Sequence, residues 1–340
     1  MAPRKMNPLR IAVIGGGYWG KKVIRETLDL SRTTGSSQLH SIVDNFPESL
    51  AQCQREFGPN LDYRTDYRSL ATEPSLTGVH ICTPNSTHFE VASTFLRQGK
   101  HVLVEKPLTL RTEEAYELVR LANQNKAVLC VGHIHRFNNG VRELKRVLAD
   151  GGIGDVYYLR LRWTALMNPQ LLREVITDLA PHPFDICNYL LDAWPEKIAC
   201  KGRGYRTKQN EELAFITADY KGGPIAHVEV SWLDRDKRRE VTVIGSKGTA
   251  NLDCVEQKLA LEIQGGRREI PVSVSNTLGD EIRHFYDCIR NNQDSTPYSN
   301  QSDGILGARV VSLLEASRES MFQERTVQVQ LPIIPAIPAK

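Results

Sequence analysis

The sequence predicts an α/β protein of two domains: a doubly wound parallel sheet, followed by an α+β domain with a large, mostly antiparallel open sheet. At 340 residues, the chain is too long for one ordinary hydrophobic core. Its first 134 residues alternate strand-like and helix-like patterns, whereas strand follows strand from about residue 155. We therefore expect one domain over residues 1–134 and a second over residues 135–330.

The strands of the first domain are predicted from short apolar runs. LRIAVIG, residues 9–15, is stopped by glycines, as expected of a parallel strand that is buried on both faces. Between the strands lie helical patterns such as residues 112–125, where Ala115, Leu118 and Ala122 share one face and Thr112 is placed to cap the N-terminus. The other predicted strands are 39–44, 78–83, 101–106 and 127–134.

The second domain is predicted from consecutive strands with short turns between them. Several of these turns contain glycine, which is typical of hairpins and therefore of antiparallel pairing. Two helices are expected after the last strand. The predicted strands are 155–164, 197–206, 213–221, 224–234, 240–247, 248–254 and 258–264.

Composition excludes several function classes. The 43 basic and 40 acidic residues nearly balance, so no electrostatic footprint for nucleic acid is present. The seven cysteines are scattered and form no CxxC pair, which argues against a zinc ribbon or a disulfide framework and favours the reducing cytoplasm. No apolar run approaches the roughly 20 residues that span a bilayer, and IAVIGGG is too short for a signal-peptide core. We expect neither a nucleic-acid partner nor a membrane partner.

A glycine motif follows the first predicted strand. Gly15, Gly17 and Gly20 fit the pattern GxGxxG and open a helix, the context in which this pattern binds a dinucleotide in a Rossmann domain. The glycines allow a tight turn, and the free N–H groups of the helix N-terminus face the pyrophosphate. We expect the whole turn, including Tyr18 and Trp19, to bind the cofactor. The alternative is a glycine-rich turn without a ligand.

Asp44 ends the second predicted strand, at the distance from the glycine motif where a carboxylate can bind the adenosine ribose. A carboxylate there accepts hydrogen bonds from both ribose hydroxyls and repels a 2′-phosphate. No arginine or lysine follows immediately. The sequence therefore favours NAD over NADP, although aspartate is also common in ordinary turns.

Two clusters carry residues suited to proton transfer. Glu105 and Lys106 end the fifth predicted strand, where side chains face the ligand crevice of such a sheet, and both are predicted to contact the cofactor. His182 lies between two prolines, and Pro183 is suited to be the first residue of a helix, whose N-terminus disfavours a charged imidazole. A neutral imidazole can accept a hydroxyl proton, and Asp178 and Asp185 can orient it or bind hydroxyls. The alternatives are an ordinary surface lysine and a buried histidine in a capping region.

A metal site is not expected. His133 and His135 flank Ile134 on the predicted strand 127–134, so both side chains would face one side. However, no third ligand with suitable spacing accompanies them.

With these motifs in place, the chain resembles the Gfo/Idh/MocA oxidoreductases. The resemblance rests on four ordered segments, supported by VGHIHRFN (131–138) and VTVIGSKGTANLD (241–253). GKHVLVEKP followed at a distance by an Asp-x-x-x-His pattern is its most specific part. Within the family, DLAPH and SWLDRDKRREVTVIGSKG resemble the nucleotide-sugar branch, which includes UDP-N-acetylglucosamine 3-dehydrogenases. The four segments are IAVIGGGYWG (11–20), ICTPNSTHFEVA (81–92), GKHVLVEKPL (99–108) and DLAPHPFDI (178–186).

The resemblance implies roles for individual residues. Lys106 corresponds to a catalytic-site lysine that contacts cofactor and substrate, His182 to the usual proton-transferring histidine, and Asp178 to an aspartate that contacts the substrate. Arg136 corresponds to an arginine near the nicotinamide. The loop that passes along the nicotinamide ribose corresponds to Thr83, Pro84, Asn85 and His88.

These implications add up to an NAD-dependent oxidoreductase that acts on a sugar or nucleotide sugar. Arg162, together with Arg160 and Tyr205, favours a sugar or phosphate over the first alternative, a reductase of a non-sugar carbonyl or imine. The second alternative is a catalytically silent dinucleotide-binding regulator, against which the presence of both Lys106 and His182 argues. Family members commonly pair through the open face of the C-terminal sheet, so a homodimer or homotetramer is expected.

Overall fold

The computed structural model of the protein describes residues 7–168, 173–207, 209–293 and 299–332. The chain forms two compact units. Unit 1 comprises the chain up to Asn138 together with Ser275–Ala308, and unit 2 comprises Asn139–Val274 together with the chain from Arg309. The division falls a few residues beyond the expected boundary at 134. Residues 275–308 join unit 1 rather than unit 2, because apolar side chains of this segment pack in the core of unit 1.

Strands and helices are numbered in chain order. The strands are β1 (Leu9–Ile14), β2 (Ser37–Val43), β3 (Asp62–Arg64), β4 (Gly78–Ile81), β5 (His101–Val104), β6 (Leu129–Val131), β7 (Val156–Thr164), β8 (Lys197–Arg203), β9 (Leu213–Asp219), β10 (Ile225–Ser231), β11 (Arg238–Gly245), β12 (Gly248–Asp253), β13 (Lys258–Ile263), β14 (Gly266–Ile270) and β15 (Val327–Gln328). The α-helices are α1 (Tyr18–Thr34), α2 (Pro47–Phe57), α3 (Arg68–Ala71), α4 (His88–Arg97), α5 (Thr112–Gln124), α6 (Asn139–Ala149), α7 (Val175–Leu179), α8 (Pro181–Leu191), α9 (Thr277–Gln293) and α10 (Gly304–Gln323). Two short 3₁₀ helices span Asn85–Thr87 and Ile134–Phe137.

The sheet of unit 1 has six strands in the order β3-β2-β1-β4-β5-β6, and every pair is parallel. This confirms the doubly wound sheet. All residues of β4 and β5 are buried, as apolar runs covered on both faces require. The strand order reverses between β1 and β4, and ligands of such sheets bind outside the carboxyl ends of the strands at this point.

Helix α9 supplies part of the core of unit 1 although it lies far along the chain. Its buried side chains Ile282, Phe285 and Ile289 pack in one cluster with residues of β1, β2 and α1. Helix α9 also contacts α1, the helix that follows the glycine turn. The first unit is therefore assembled from two separate stretches of sequence.

The predicted strand over 127–134 is wrong beyond Val131. Gly132 follows the strand, where a Cβ atom would lie 2.7 Å from Glu105 Oε2. His133 N then donates to Val131 O at 2.7 Å, so the chain turns and enters the second 3₁₀ helix. His133 is buried. Neither His133 nor His135 lies on a strand, so the prediction that their side chains face the same side of a strand is wrong.

The sheet of unit 2 has nine strands in the order β14-β13-β12-β11-β7-β10-β9-β8-β15. It is mostly antiparallel, as predicted, but β7 and β10 pair in parallel. Strands β14 and β15 were not predicted. Along β7, Leu159, Leu161 and Trp163 are buried against the core, whereas Arg160 and Arg162 alternate with them and lie on the opposite face.

Within the described ranges, no helix is long and apolar enough to cross a membrane.

Candidate active site

The glycine turn between β1 and α1 is closely packed against backbone. Gly15 has a φ of 102°, and a Cβ atom there would lie 2.6 Å from Cys82 O. A Cβ atom on Gly20 would lie 1.8 Å from Gly15 O. At Gly17, by contrast, a Cβ atom would meet nothing within 4 Å. The turn thus presents open space at Gly17, beside the N-terminus of α1, where the first N–H groups have no partner within the helix.

Cationic and aromatic side chains accompany this helix N-terminus. Lys22 Nζ lies 4.5 Å from the centroid of the Tyr18 ring and 5.1 Å from that of Trp19. Tyr18 is 79% exposed, so its ring is available for contact with a ligand. A positive charge and free N–H groups at one place fit the diphosphate of a dinucleotide. Lys22 was not predicted from the sequence.

Asp44 lies directly after β2, beside the glycine turn. Its Oδ2 accepts a hydrogen bond from Gly16 N at 2.8 Å, and its Oδ1 accepts one from Phe46 N at 2.9 Å. The carboxylate therefore holds the end of β2 against the glycine turn. It remains half-buried, so part of it can face a ribose.

The loop after β4 contains the predicted cofactor residues Thr83, Pro84 and Asn85, at the same edge of the sheet as the glycine turn. His88 was predicted to contact the cofactor, but its side chain is engaged within the protein. It is fully buried, its Nδ1 lies 2.8 Å from Pro107 O, and its Nε2 lies 3.0 Å from Thr83 O. Burial lowers the pKa of His88. His88 therefore joins the loops after β4 and β5 and acts by positioning them.

Glu105 and Lys106 follow β5 at this same edge. Glu105 is buried, and its Oε1 accepts a hydrogen bond from Trp19 Nε1 at 2.5 Å and lies 3.1 Å from His80 Nε2. Two residues predicted to bind the cofactor, Trp19 and Glu105, are thus bonded to each other. Lys106 is half-buried and is joined to Pro107 by a cis peptide bond.

His80, Cys82 and Glu105 form a group whose potential ligand atoms lie within 4.8 Å of one another. The Glu105 oxygen is already engaged by Trp19 and His80. Burial and the charge of Glu105 raise the pKa of the Cys82 thiol well above its usual value. We propose no metal here.

Arg136 lies in the second 3₁₀ helix, after β6, and is buried. The neighbouring Phe137 ring packs 5.1 Å from the ring of His284 in α9. The 3₁₀ helix is therefore held by α9 within unit 1.

In unit 2, the Asp178–Asp185 segment forms two short helices. Helix α8 begins at Pro181 rather than at Pro183, because Pro181 is tolerated at the first helical position and Phe184 N bonds back to Ala180 O at 3.1 Å. His182 consequently lies inside the first turn and is half-buried, and Asp178 lies in α7. Asp185 is 1% exposed, so it lies in the interior of unit 2, and its contact with substrate stays a prediction.

Trp163 and Arg239 extend the group around His182. The Trp163 ring, fully buried on β7, lies 6.3 Å from the His182 ring. Arg239 is directly opposite Trp163 in the β7–β11 register, and its guanidinium lies 5.8 Å from the Trp163 ring. Burial lowers the pKa of Arg239 to about 10, and the charge of Asp178 opposes that shift. Asp178, His182, Trp163 and Arg239 are called the His182 group below.

Arg162 does not belong to the His182 group. Side chains alternate along β7, so Arg162 lies on the face opposite Trp163, where it pairs with Glu240 at 3.1 Å. That Arg162 binds substrate stays a prediction, and this placement separates Arg162 from the His182 group. Arg239 was overlooked because only the β7–β11 register, which sequence periodicity does not specify, places it beside Trp163.

Glu211 holds the N-terminus of α7. Its Oε1 accepts a hydrogen bond from Ile176 N at 3.2 Å, and burial raises its pKa to about 7. The neighbouring Glu212 is also buried, but it accepts hydrogen bonds from the backbone of Tyr205 and Arg206 and from the Arg206 side chain. These bonds outweigh the effect of burial and lower the pKa of Glu212.

Two family models match the chain. The Gfo/Idh/MocA oxidoreductase model, described as an NAD-binding Rossmann fold, matches residues 9–133, and the model of the Gfo/Idh/MocA C-terminal domain matches residues 141–251. The two matches fall on the sheet of unit 1 and on much of the sheet of unit 2.

Named relatives and a solved structure are also similar. UDP-N-acetylglucosamine 3-dehydrogenase of Acidithiobacillus ferrooxidans is 28% identical over 320 residues, covering 89% of this chain and 94% of the relative. A crystal form of that organism's enzyme, GnnA, superposes with a TM-score of 0.80 at 27% identity, covering 93% of this chain and 98% of the other. The NAD(+)-dependent scyllo-inositol 2-dehydrogenase of Bacillus subtilis is 25% identical, covering 89% and 92%.

Proposed function

The chain belongs to the Gfo/Idh/MocA oxidoreductase family, and on that basis we propose that it transfers a hydride between NAD and a secondary-alcohol carbon of a sugar or nucleotide sugar. The observation that carries the proposal is the placement of Lys106 at the same sheet edge as the glycine turn. The residues proposed to bind the cofactor and Lys106, which can donate or accept a proton, thus lie at the ligand crevice of unit 1.

The residues of unit 1 fit a dinucleotide. The open space at Gly17, the helix N-terminus and Lys22 fit the diphosphate, and Asp44 beside them fits a ribose with two free hydroxyls. The carboxylate charge of Asp44 favours NAD over NADP. When bound, NAD accepts or returns the hydride.

Lys106 and His182 are assigned to the hydroxyl group that reacts. In the oxidative direction, His182 takes the hydroxyl proton, and Lys106 donates a hydrogen bond that stabilises the charge developing on the oxygen. The alternative assignment exchanges the two roles. Asp178 accepts hydrogen bonds from substrate hydroxyls, and Arg239, beside the Trp163 ring, offers donors to an oxygen-rich substrate.

Single and double variants test the assignment. Lys106→Ala and His182→Ala should each lower turnover by about 10²–10⁴-fold, because general acid–base groups contribute on that order. NAD affinity and melting temperature should stay near those of the parent. Because the two residues act on one proton transfer, the double variant should be little worse than the poorer single variant.

Lys258→Ala, a change at an exposed lysine of β13, is the control and should retain full turnover. Added imidazole should restore part of the activity of His182→Ala if the ring transfers a proton. If His182→Ala melts at a lower temperature but turns over normally, His182 is structural and the proposed role is excluded. The substrate class is tested separately by NAD reduction with free sugars, inositols and nucleotide sugars.

We also infer a cytoplasmic location and a homodimer or homotetramer. All seven cysteines are free, which suits a reducing compartment. The sheet of unit 2 exposes large apolar side chains, which suit a subunit interface.

A further inference from the structure

A pair of thiols lies in unit 1, apart from the glycine turn and Lys106. Cys130 is in β6 and Cys288 is in α9, so residues far apart in sequence meet where the helix packs near the strand. The two side chains interact directly, and neither forms a disulfide. The Cys130 thiol has one proton to donate, and its two acceptors are Cys288 Sγ and Asn300 Oδ1, the latter at 3.4 Å.

A histidine completes the group. His284 lies one helical turn before Cys288, and its Nε2 is 3.4 Å from Cys288 Sγ. The same nitrogen accepts a hydrogen bond from Gln301 N at 3.1 Å, which fixes the orientation of the ring. Cys288 and Gln301 N thus lie beside one and the same nitrogen, and a thiol next to an imidazole ionises more readily than an isolated thiol. Cys130, Cys288 and His284 are called the thiol group below.

Cys288, one member of the thiol group, borders a cavity of about 260 Å³. Cys288 lines this cavity with apolar residues of α5 and β6 and with polar side chains, including those of Asn300 and Asp303. Asn123 and Asn292, which also line it, are exposed, so the cavity reaches the surface. Its volume is several times the roughly 30 Å³ of one water molecule, so a small solute can enter.

The charges around Cys288 favour ionisation of this thiol. The hydrogen bond from Cys130 and the proximity of His284 lower the pKa of Cys288, and they outweigh both burial and the adjacent carboxylate of Asp287. Burial raises the pKa of Cys130 well above its usual value, and the nearby Glu281 acts in the same direction, so Cys130 keeps its proton. Burial also raises the pKa values of Cys187 and Cys200, each to about 12.

We propose that the thiol group is an oxidative modification site, at which Cys288 reacts with a small peroxide that enters the cavity and Cys130 resolves the product. The Cys288 thiolate attacks one peroxide oxygen, the O–O bond breaks, and a sulfenic acid and hydroxide form. The Cys130 sulfur then attacks the Cys288 sulfur, while the Cys130 proton passes to the hydroxyl that leaves from the sulfenic acid. A Cys130–Cys288 disulfide and water result, with two thiols oxidised and one peroxide reduced.

The product joins β6 to α9 covalently, and a dithiol reductant restores the two thiols. This site is independent of the hydride-transfer proposal, because none of its residues is assigned to cofactor or substrate.

The test exposes the reduced full-length protein to limiting hydrogen peroxide, blocks the remaining thiols and maps the peptides by mass spectrometry. In the parent protein, the first product should be a linked Cys130–Cys288 peptide pair. In Cys130→Ser, Cys288 should accumulate as a sulfenic acid that a 1,3-dione probe captures. In Cys288→Ser, Cys130 should remain a thiol. Cys200→Ser, which removes a buried thiol whose pKa is raised, should behave like the parent.

A second measurement does not depend on how the variants fold. In the unmodified native protein, iodoacetamide should alkylate Cys288 at least about tenfold faster than Cys200, because only the thiolate reacts. His284→Gln should slow alkylation of Cys288 while the melting temperature stays near that of the parent. Equal rates at Cys288 and Cys200, or a first disulfide formed by any other pair, would overturn the proposal.

Discussion

At the scale of single residues, Asp44 is assigned two roles. Its carboxylate fixes the glycine turn through Gly16 N, and the same charge is proposed to select the cofactor. The contact with the glycine turn is seen in the structure, whereas the selection of the cofactor is predicted from the charge of the carboxylate. A variant at Asp44 affects both roles at once. The two roles can be separated only by a quantity that does not change when the glycine turn becomes less ordered.

The ratio of NADP to NAD dissociation constants is such a quantity. Asp44→Asn keeps an oxygen that can accept a hydrogen bond from Gly16 N but removes the charge that repels a 2′-phosphate. The parent should bind NAD more tightly, and the ratio should fall about tenfold in Asp44→Asn, the lower end of what one charge contributes at close range. Titration calorimetry with both cofactors measures it. Equal affinities in the parent would exclude the proposed selection.

Residues within one motif were predictable from sequence, but partners across the fold were not. Gly15, Gly20 and Lys106 follow from local patterns at strand ends, and the structure places them at one sheet edge. Arg239 reaches Trp163 only through the β7–β11 register, and Cys288 reaches Cys130 only through the packing of α9. Periodicity reports which face of an element is buried, but it does not report which element covers that face.

At the scale of elements, Gly17 and Gly20, at the start of α1, are glycine for different reasons. Gly20 needs the absence of a side chain for packing, because a Cβ atom would overlap Gly15 O. Gly17 faces open space, so any need for glycine there comes from the ligand.

Alanine substitutions should separate these requirements. Gly20→Ala should lower the free energy of unfolding by about 1–3 kcal/mol, as overpacking does, and should weaken NAD binding because the helix N-terminus must move. Gly17→Ala should change stability by about 1 kcal/mol or less yet also weaken NAD binding. Chemical denaturation and calorimetry on both proteins check this. Undiminished NAD affinity in Gly17→Ala would show that the phosphates do not approach this residue.

Helix α7 depends on a carboxyl group whose ionisation is coupled to folding. Glu211 has a folded-state pKa of about 7, above its unfolded value of about 4.3. The folded protein therefore binds more protons than the unfolded protein between these two values. The contribution of Glu211 to stability is complete below about pH 4.3, is lost as the pH rises through 7, and then stays constant.

Glu211→Gln should remove this dependence. The amide oxygen keeps an acceptor for Ile176 N but does not ionise, so the variant should be more stable than the parent at pH 8, by on the order of 3 kcal/mol. Unfolding in urea between pH 5 and pH 8 measures the difference. Glu212→Gln is the contrasting control: it removes a carboxylate whose pKa is lowered, so it should destabilise the protein across this range. Parallel pH profiles for Glu211→Gln and the parent would contradict the assignment.

At the scale of the whole molecule, the described part of the unit 2 sheet has an outer face that carries exposed apolar side chains. Tyr158, Phe215 and Ile225 on the neighbouring strands β7, β9 and β10 are between 42% and 48% exposed. Phe215 stacks on His227 at a centroid separation of 6.1 Å, which makes a flat aromatic patch. Such a patch is typical of a protein interface.

A charge in this patch should disrupt self-association. Light scattering at micromolar concentration should give a dimer or tetramer for the parent and a smaller species for Phe215→Glu, because a buried unpaired carboxylate is unfavourable. Val255→Glu places the same charge at an exposed apolar residue in the β12–β13 turn and should leave the mass unchanged. A monomeric parent would contradict the expected assembly.

Helix α9 packs in unit 1 although it follows most of unit 2 in the chain, and this order affects folding during synthesis. A ribosome releases β1 to β6 first, but Ile282, Phe285 and Ile289, which close part of their core, emerge only after the segment that forms most of unit 2. During that interval the nascent chain exposes apolar surface that the finished protein buries, a state open to chaperones and proteases. A messenger truncated at the end of the first family match would therefore yield a product that the cell degrades rather than a free nucleotide-binding domain.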